Sequence, residues 1–199
     1  MSYFQATDIP AETIEAAAAG DRQAHAAIYK AYQRPLYSLI RRLIPRPAIA
    51  DELFQDTFVE ILRNIQSYSA EGSFAGWVRS VAVNKCLMYL RSPWHRALLH
   101  FDGKENDPTF RSLFELQTSD PDFETRQALQ QALAELPALS RAVVWLHDVE
   151  GYTHNEIGRL LNRTPSFSKS QLSRAHARMR ELLNPTVESM SCTPVSNNC

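Results

Sequence analysis

The chain has 199 residues, of which 44% are hydrophobic, and a formal net charge of −1 at neutral pH. This length and apolar content are enough for one or two small domains with buried cores, and they exclude a disordered chain. No apolar run reaches the roughly 20 residues that cross a bilayer, and the N-terminus lacks a secretory signal pattern, so we expect a cytoplasmic protein without membrane contact. The three cysteines, Cys86, Cys192 and Cys199, have no metal-ligand spacing and are expected to be reduced thiols.

The charge is segregated along the chain. Residues 77–100 contain basic side chains and no acidic one. Residues 101–150 contain four basic and ten acidic side chains, and residues 152–183 contain six basic and two acidic ones. Since local phosphate contacts set the affinity for nucleic acid, the small net charge does not exclude DNA binding by the two basic segments.

Helical periodicity runs through nearly the whole chain and predicts an all-α protein. No alternating strand pattern and no internal repeat is evident. Prolines and Gly103 interrupt the pattern over 93–121, which predicts a flexible acidic linker between helical domains at 11–92 and 122–184, followed by a loose tail at 185–199. The predicted helices are 11–18, 21–44, 48–66, 73–91, 122–135, 138–149, 153–162 and 165–184.

The predicted helix 48–66 begins with an acidic segment that contains Asp51, Glu52 and Asp56. Acidic residues near a helix N-terminus interact favourably with the helix dipole, which is sufficient to explain them. The alternative interpretation is an exposed acidic patch that docks a basic partner.

The next predicted helix, 73–91, combines aromatic, amide and basic side chains with no acidic residue. Trp77, Arg79, Asn84, Lys85 and Arg91 lie in it. Aromatic rings can stack on bases while cations follow the phosphates, so this composition suits single-stranded DNA. A lone tryptophan in a helix is more often part of a core, and the residues alone leave both interpretations open.

The segment 151–183 has the pattern of a helix-turn-helix. Thr153 and Glu156 fit a capping box, Asn162 and Arg163 make the turn, and Thr164 precedes a proline at the start of the second helix. Leu172, Ala175, Met179 and Leu182 form the predicted buried face of that helix. A basic and polar stripe follows the opposite side: Lys169, Ser173, His176 and Arg180, with Arg174 and Arg178 beside it. The alternative is a solvated face on a helical hairpin.

From Ala24 to Leu183 the chain resembles the bacterial extracytoplasmic-function (ECF) RNA polymerase sigma factors. AIYKAYQRPLYSLIRRLI resembles the start of the family's first domain, ADELFQDTF its acidic polymerase-binding segment and FAGWVRSVAVNKCLMYLR its promoter-melting helix. ALAELPALSRAVVWLHDVEGYTHNEIGRLL and SFSKSQLSRAHARMREL resemble the second domain. The order and spacing of these fragments together are specific.

The resemblance implies a protein that binds core RNA polymerase, at the clamp helices of the large subunit and at the flap, and promoter DNA. The first domain would capture the unwound minus-ten element, the second would read the minus-thirty-five element as duplex, and the linker would thread through the polymerase channels. Implied polymerase-binding residues are Asp51, Glu52, Leu53, Gln55, Asp56 and Phe58. Implied DNA-binding residues are Trp77, Arg79, Asn84, Lys85, Arg91, Lys169, Ser170, Ser173, Arg174 and Arg178.

Within this resemblance, Asn84 matches the asparagine that helps to hold a flipped minus-ten base, and Ser67–Ser73 matches the loop that shapes the pocket for that base. The family's sigma factors perform no chemistry themselves. No catalytic residue, cofactor or metal is therefore expected, and the sequence contains no nucleophile–base pair, phosphate loop or metal-ligand set.

One departure from the family pattern concerns regulation. The polymerase-binding helix typically begins Asp-Ala-Glu-Asp, whereas here the run is Ile49-Ala50-Asp51-Glu52. Some branches of the family with a weakened acidic motif rely on a Ser/Thr kinase, since a phosphate adds nearly two negative charges. Thr57 is the one serine or threonine between Ser38 and Ser67 and is a candidate acceptor; alternatively Asp51 already supplies the charge. A separate anti-sigma factor is the other candidate regulator.

Two other classes of protein compete with this interpretation. The first is a stand-alone helix-turn-helix transcriptional regulator, against which the N-terminal resemblance argues. The second is an enzyme with a DNA-binding appendage, for which the sequence contains no catalytic constellation.

Overall fold

The computed structural model describes residues 8–69, 71–93 and 123–184, and every regular element in these ranges is helical, so the all-α prediction is confirmed. When the 3₁₀ and π turns are counted with the helices that they continue, the helix bounds differ from the predicted ones by at most two residues. The predicted linker 93–121, apart from Pro93, and the predicted tail 185–199 lie outside the described residues. The helices are α1 (Ala11–Ala18), α2 (Arg22–Leu43), α3 (Pro47–Asn64, continued by a 3₁₀ turn, Ile65–Ser67), α4 (Phe74–Arg91), α5 (Phe123–Ala134), α6 (Ala138–Val144, continued by a π turn, Trp145–Val149), α7 (His154–Leu160) and α8 (Pro165–Leu183).

The first domain packs α2, α3 and α4 around one apolar core, with α1 against α2. Asp21 caps α2 by accepting a hydrogen bond from the Ala24 amide at 2.8 Å, and Pro47 begins α3 where its missing N–H costs nothing. The fully buried side chains of this core recur at helical spacing, which is why the periodicity located these helices. They include Ile28, Leu36, Leu39, Ile40, Leu43, Ile61, Val78 and Leu87.

The second domain packs α8 against α5, α6 and α7. Arg141 of α6 is only 2% exposed. Its Nη1 donates to the carbonyl oxygens of Ala134 at 3.4 Å and Leu136 at 3.3 Å. These carbonyls lie where α5 ends, so the buried guanidinium satisfies acceptors that the helix itself leaves without partners.

The helix-turn-helix between α7 and α8 forms through the predicted local contacts. Thr153 and Glu156 make the capping box: the Thr153 amide donates to Glu156 Oε2 at 2.8 Å, and the Glu156 amide donates to Thr153 Oγ1 at 3.3 Å. Asn162 in the turn has a φ of 50°, a left-handed conformation that asparagine tolerates. Thr164 then caps α8 by accepting from the Phe167 amide at 3.2 Å.

Gly158 permits the close approach of α7 to this turn, a role that the sequence reading missed. A Cβ atom there would lie 2.9 Å from the Arg163 carbonyl oxygen and 3.1 Å from the Pro165 nitrogen. Both are backbone atoms, so the turn itself would have to move.

Gly158→Ala should therefore destabilise the second domain by about 1–3 kcal/mol, the usual cost of overpacking. Denaturant unfolding of the full chain measures this. Gly72→Ala is the matched control, because a Cβ there meets nothing within 4 Å and φ is not positive, and its effect should stay within about 0.5 kcal/mol. Equal stability of the two variants would contradict the close approach.

The two domains contact each other directly. Helices α2 and α4 of the first domain pack against α6 of the second. The cationic side chains at this contact belong to the candidate site.

Candidate polymerase and nucleic-acid interfaces

The acidic start of α3 lies on the surface of the first domain. Asp51, Glu52, Gln55 and Asp56 are exposed. Val59, one turn later on the same side, is 46% exposed, so an apolar side chain adjoins the acidic ones. A surface of this kind can pair with a cationic and partly apolar partner.

Asp51 also has a partner within the domain. Its Oδ1 accepts a hydrogen bond from the Tyr37 hydroxyl at 2.8 Å. Burial, and then the hydrogen bond to Asp51, raise the pKa of Tyr37, so the phenol stays protonated and donates. The Tyr37 ring packs edge-on against Phe54 at 5.4 Å, and Tyr29, which is 45% exposed, packs on Phe58 at 4.8 Å. A cluster of four aromatic rings thus lies next to the acidic side chains of α3.

The remaining two of the six predicted polymerase-binding residues face inward. Leu53 is 9% exposed and Phe58 is 6% exposed, and both belong to the core under α3. Their packing in the core fixes the position of α3 and therefore of its exposed acidic side chains. Their periodicity alone could have assigned them to the core, because each lies at helical spacing from Ile61 or Ala50.

Thr57, the candidate phosphate acceptor, is fully buried. Its Oγ1 donates to the Leu53 carbonyl oxygen at 2.6 Å. A kinase cannot reach this hydroxyl in the folded domain, and a phosphate group there would place nearly two charges in an apolar core. The structure therefore argues against Thr57 as a phosphorylation site. The helical spacing in the sequence already indicated that Thr57 is buried, since it lies four residues from both Leu53 and Ile61 and therefore on the same helix face.

The position of Trp77 on α4 is compatible with both interpretations that the sequence left open, a core side chain and a ring that stacks on a DNA base. It is half-buried, stacks on the core residue Phe74 with 5.6 Å between ring centroids, and lies 5.9 Å from the Tyr68 ring. Tyr68 belongs to the 67–73 loop and donates its hydroxyl hydrogen to the Gly72 carbonyl oxygen. Apart from Ala70, which lies outside the described residues, this loop and Trp77 form one partly exposed aromatic surface beside α4.

Asn84 is exposed on α4, but the cations predicted to bind DNA on this helix all have partners within the protein. Lys85 Nζ pairs with Glu60 of α3 at 2.7 Å. Arg79 Nη1 pairs with Glu150 Oε2 at 3.2 Å, and Arg91 Nη1 donates to the Leu160 carbonyl oxygen at 3.0 Å. Glu150 and Leu160 belong to the second domain.

Two cation–π contacts continue this interdomain contact. The Arg42 guanidinium of α2 lies 4.7 Å from the ring centroid of Trp145, and that of Arg79 lies 5.3 Å from the ring of Tyr152. Trp145 Nε1 in turn donates to Glu150 Oε1 at 3.2 Å. The sequence reading missed these contacts, because no local pattern relates Arg79 to a residue 71 positions away.

The recognition stripe of α8 points outward from the second domain. Leu172, Ala175 and Met179 are buried on the opposite side, as predicted, whereas Leu182, predicted with them, is only half-buried. The guanidinium of Arg174 lies along the helix, with Nε donating to the Ser170 carbonyl oxygen at 3.2 Å. The exposed side chains of the stripe, with Ser170 beside it, are Lys169, Ser170, Ser173, Arg174, Arg178 and Arg180.

His176, which the sequence placed in the same stripe, joins α8 to the π turn instead. Its Nε2 lies 2.6 Å from Asp148 Oδ2. His147 beside it stacks on His154 of α7 with 4.4 Å between ring centroids. Burial, followed by the charges of His147 and Lys169, lowers the pKa of His154, so this ring is neutral at physiological pH. These histidines hold α7 and α8 to the rest of the domain.

The described residues contain no group of histidine, cysteine, aspartate or glutamate side chains arranged to hold a metal ion. None of the described helices is both long and apolar enough to cross a membrane.

Comparison with known proteins identifies both domains. Residues 28–96 match the Sigma-70 region 2 family and residues 126–179 match the Sigma-70 region 4 family. The chain is 31% identical over 173 residues to the ECF RNA polymerase sigma factor SigM of Mycobacterium tuberculosis, covering 87% of this chain and 84% of that protein. It is 27% identical to the RNA polymerase sigma factor CarQ of Myxococcus xanthus, covering 82% and 91% of the two chains.

Solved structures share the fold. The sigma factor RpoE of Bartonella quintana, crystallised with the anti-sigma factor NepR, superposes with a TM-score of 0.51 at 20% identity, covering 77% of this chain and 91% of that one. CnrH, in complex with the cytosolic domain of CnrY, gives a TM-score of 0.50 at 19% identity over 87% of this chain and 96% of that one. The identity to SigM over most of both chains, together with the region 2 and region 4 matches in that order, shows that the protein belongs to the ECF RNA polymerase sigma factors.

Proposed function

We propose that this alternative sigma factor docks on the clamp helices of the polymerase large subunit through α3, holds the unwound minus-ten strand on α4 and reads the minus-thirty-five duplex with α8. The second domain would also contact the flap. The proposal rests on the presence of two different surfaces on the two domains. The first domain has an acidic, partly apolar face on α3, and the second domain has a basic stripe on the outer side of α8. A stand-alone regulator would need no docking face of this kind.

Each surface has side chains suited to its ligand. Exposed Arg174 can donate bidentate hydrogen bonds to a guanine edge in the major groove, and Lys169 can neutralise a backbone phosphate. On α4, exposed Asn84 offers an amide to an unstacked base, and the Tyr68–Trp77 surface offers rings for stacking. We assign the protein no catalytic step, cofactor or metal, and we place it in the cytoplasm, where promoters and core polymerase are.

We further propose that permanent negative charge on α3 does the work that phosphorylation does in kinase-dependent branches of the family. Asp51 is exposed beside Glu52, whereas buried Thr57 is unsuitable as an acceptor. Two structural neighbours were solved in complexes, RpoE with the anti-sigma factor NepR and CnrH with the cytosolic domain of CnrY. An anti-sigma factor is therefore the better supported regulator, and a kinase would need another acceptor residue.

Run-off transcription with core polymerase and a genomic promoter library tests the function. Adding the protein should yield discrete transcripts that core polymerase alone does not produce, and core polymerase should co-purify with the protein. A stand-alone regulator would co-purify with no core subunit, and equal transcription with and without the protein would overturn the proposal.

Asn84→Ala serves as the informative variant in the same assay. Because Asn84 is exposed, the substitution should leave the fold intact. We expect core binding to be unchanged, transcription from duplex promoters to fall about tenfold or more, and transcription from promoters with a premelted minus-ten region to recover in part. Loss of core binding would instead assign Asn84 a structural role.

A further inference from the structure

One aspartate of the second domain is shared by two histidines. Asp148 in the π turn lies 2.8 Å from His147 Nδ1 through its Oδ1 and 2.6 Å from His176 Nε2 of α8 through its Oδ2. An ionised carboxylate only accepts hydrogen bonds, so both imidazoles donate an N–H to it. While both histidines are neutral, this histidine–aspartate cluster (His147, Asp148 and His176) has the single negative charge of the carboxylate, and each proton that it binds adds one positive charge.

The cluster adjoins the basic stripe of α8 and is open to solvent. Ser173 lies three residues before His176 and Arg180 four residues after it, so His176 lies between two exposed members of the stripe. The side chains of His147, Asp148 and His176 are 34%, 35% and 44% exposed. Protons from solvent can therefore reach the cluster, and its charge acts on a ligand that binds along the stripe.

A third histidine at this contact stays neutral. His154 of α7 stacks on His147 with 4.4 Å between ring centroids, and its Nδ1 lies 3.1 Å from Ser168 Oγ. Burial, followed by the charges of His147 and Lys169, lowers the pKa of His154. A protonated His147 would therefore stack on an uncharged ring, and the protons go to His147 and His176.

The other elements packed against α8 leave the charge of the cluster to its own three residues. The described side chains of α5 carry no charge, and the single charged residue of α6, Arg141, donates to carbonyl oxygens at the end of α5. On α7, Glu156 accepts hydrogen bonds from Thr153. Near the end of α8, Glu181 pairs with Arg178 at 3.1 Å. The other charged side chains of α7, the turn and α8 are cationic: Arg159, Arg163, Lys169, Arg174 and Arg180.

We propose that binding of the minus-thirty-five duplex is coupled to proton uptake by the histidine–aspartate cluster, so that promoter affinity rises as the pH falls. The inference rests on the proposed function, because it takes the α8 stripe to face the phosphates of this duplex. DNA is a polyanion and binds a cationic cluster better than an anionic one, so DNA and protons strengthen each other's binding by the same factor. Histidine gains its charge between pH 5 and 8, so the gain in affinity is present below this range and is lost above it.

Equilibrium binding of the holoenzyme to a fluorescent promoter duplex tests the coupling. Affinity is measured at constant salt from about pH 8 to about pH 6, the range in which histidine titrates. Relative to a His176→Gln holoenzyme, wild-type affinity should rise about fivefold, the lower end of the usual coupling between two ligands. Glutamine keeps an N–H that can donate to Asp148 but does not titrate. At the lower pH, the wild type should also depend on salt more steeply by about one counterion.

Two further variants separate this role from a structural one. His25→Gln removes a histidine of the first domain, whose Nε2 lies 2.8 Å from the Ala17 carbonyl oxygen, and it should keep the wild-type pH dependence. Asp148→Asn removes the negative charge, so it should raise affinity near pH 8 by about threefold and reduce the pH dependence. A cluster that only holds α7 and α8 in place would instead weaken binding equally at every pH in both cluster variants, and that result refutes the coupling.

Calorimetry of promoter binding in buffers with different ionisation enthalpies counts the protons taken up. Near pH 7, the wild-type holoenzyme should take up about half a proton more per promoter than the His176→Gln holoenzyme. Equal uptake by the two refutes the coupling. Unfolding curves at both pH values show whether His176→Gln stays folded, and His147→Gln gives the same comparison if it does not.

The same binding data keep this inference apart from the proposed function. If the holoenzyme binds the promoter no better than core polymerase alone at any pH, the proposed function is wrong. If the holoenzyme binds the promoter specifically, but the wild type and His176→Gln share one pH dependence, the proton coupling alone is wrong.

Discussion

Neutralising the acidic surface of α3 should weaken core-polymerase binding by about thirtyfold, because three exposed ion pairs at up to about 1 kcal/mol each can together contribute about 2 kcal/mol. The variant combines Asp51→Asn, Glu52→Gln and Asp56→Asn, all at exposed positions of one helix side. The loss should shrink as salt is added, since screening weakens exposed pairs in the wild type. Equilibrium binding to fluorescently labelled core polymerase measures both effects.

The controls separate charge from structure. Asp8→Asn, Glu12→Gln and Glu15→Gln remove the same charge from exposed positions in and before α1, and they should leave affinity within about twofold of the wild type. Tyr37→Phe removes the hydrogen bond to Asp51 while keeping its charge. If Tyr37→Phe weakened binding as much as Asp51→Asn does, the orientation of the carboxylate and not its charge would control docking. Unfolding curves confirm that each variant stays folded.

The helices could be predicted from sequence because their signals are local. An apolar side chain every three or four residues marks one helix face, and capping groups act over three residues. The Thr153–Glu156 capping box and the Thr164 cap are examples, and both hydrogen bonds are present. The turn between α7 and α8 could be predicted for the same reason, because the residues that form it are close together in the sequence.

The orientation of individual side chains was harder to predict. Thr57 carries a hydroxyl, which suggested an accessible acceptor, yet its position between Leu53 and Ile61 places it in the core. There the hydroxyl bonds to the carbonyl four residues earlier and so satisfies its donor without water. Periodicity was the stronger signal in this case, and the chemical identity of the residue was the weaker one.

Contacts between the domains could not be predicted from the sequence. Arg79 in a segment without acidic residues suggested an open cationic face, but its partner Glu150 lies in the other domain. A single sequence contains no information on pairs so far apart, because neither spacing nor composition connects them. The sequence placed the cations of α4 on the correct helix, but only the three-dimensional structure shows which groups they pair with.

Arg174→Ala should cost about 1–3 kcal/mol in minus-thirty-five recognition if the guanidinium reads a base edge. Arg174 is exposed, and its Nε already donates to the Ser170 carbonyl oxygen at 3.2 Å, which leaves the Nη atoms for the ligand. Transcription from a library of minus-thirty-five variants should show relaxed preference at one base pair. Because the side chain makes no core contact, the free energy of unfolding should change by less than about 0.5 kcal/mol.

Lys169→Ala is the matched comparison, because both substitutions remove one positive charge from the same helix. A phosphate contact carries no sequence information, so Lys169→Ala should weaken all promoters alike and reduce the salt dependence of binding by about one counterion. Relaxed preference in Arg174→Ala with uniform weakening in Lys169→Ala assigns base reading to Arg174. Uniform weakening in both variants would place the base-reading side chain elsewhere on the stripe, with Ser173, one turn from Lys169, as the next exposed position.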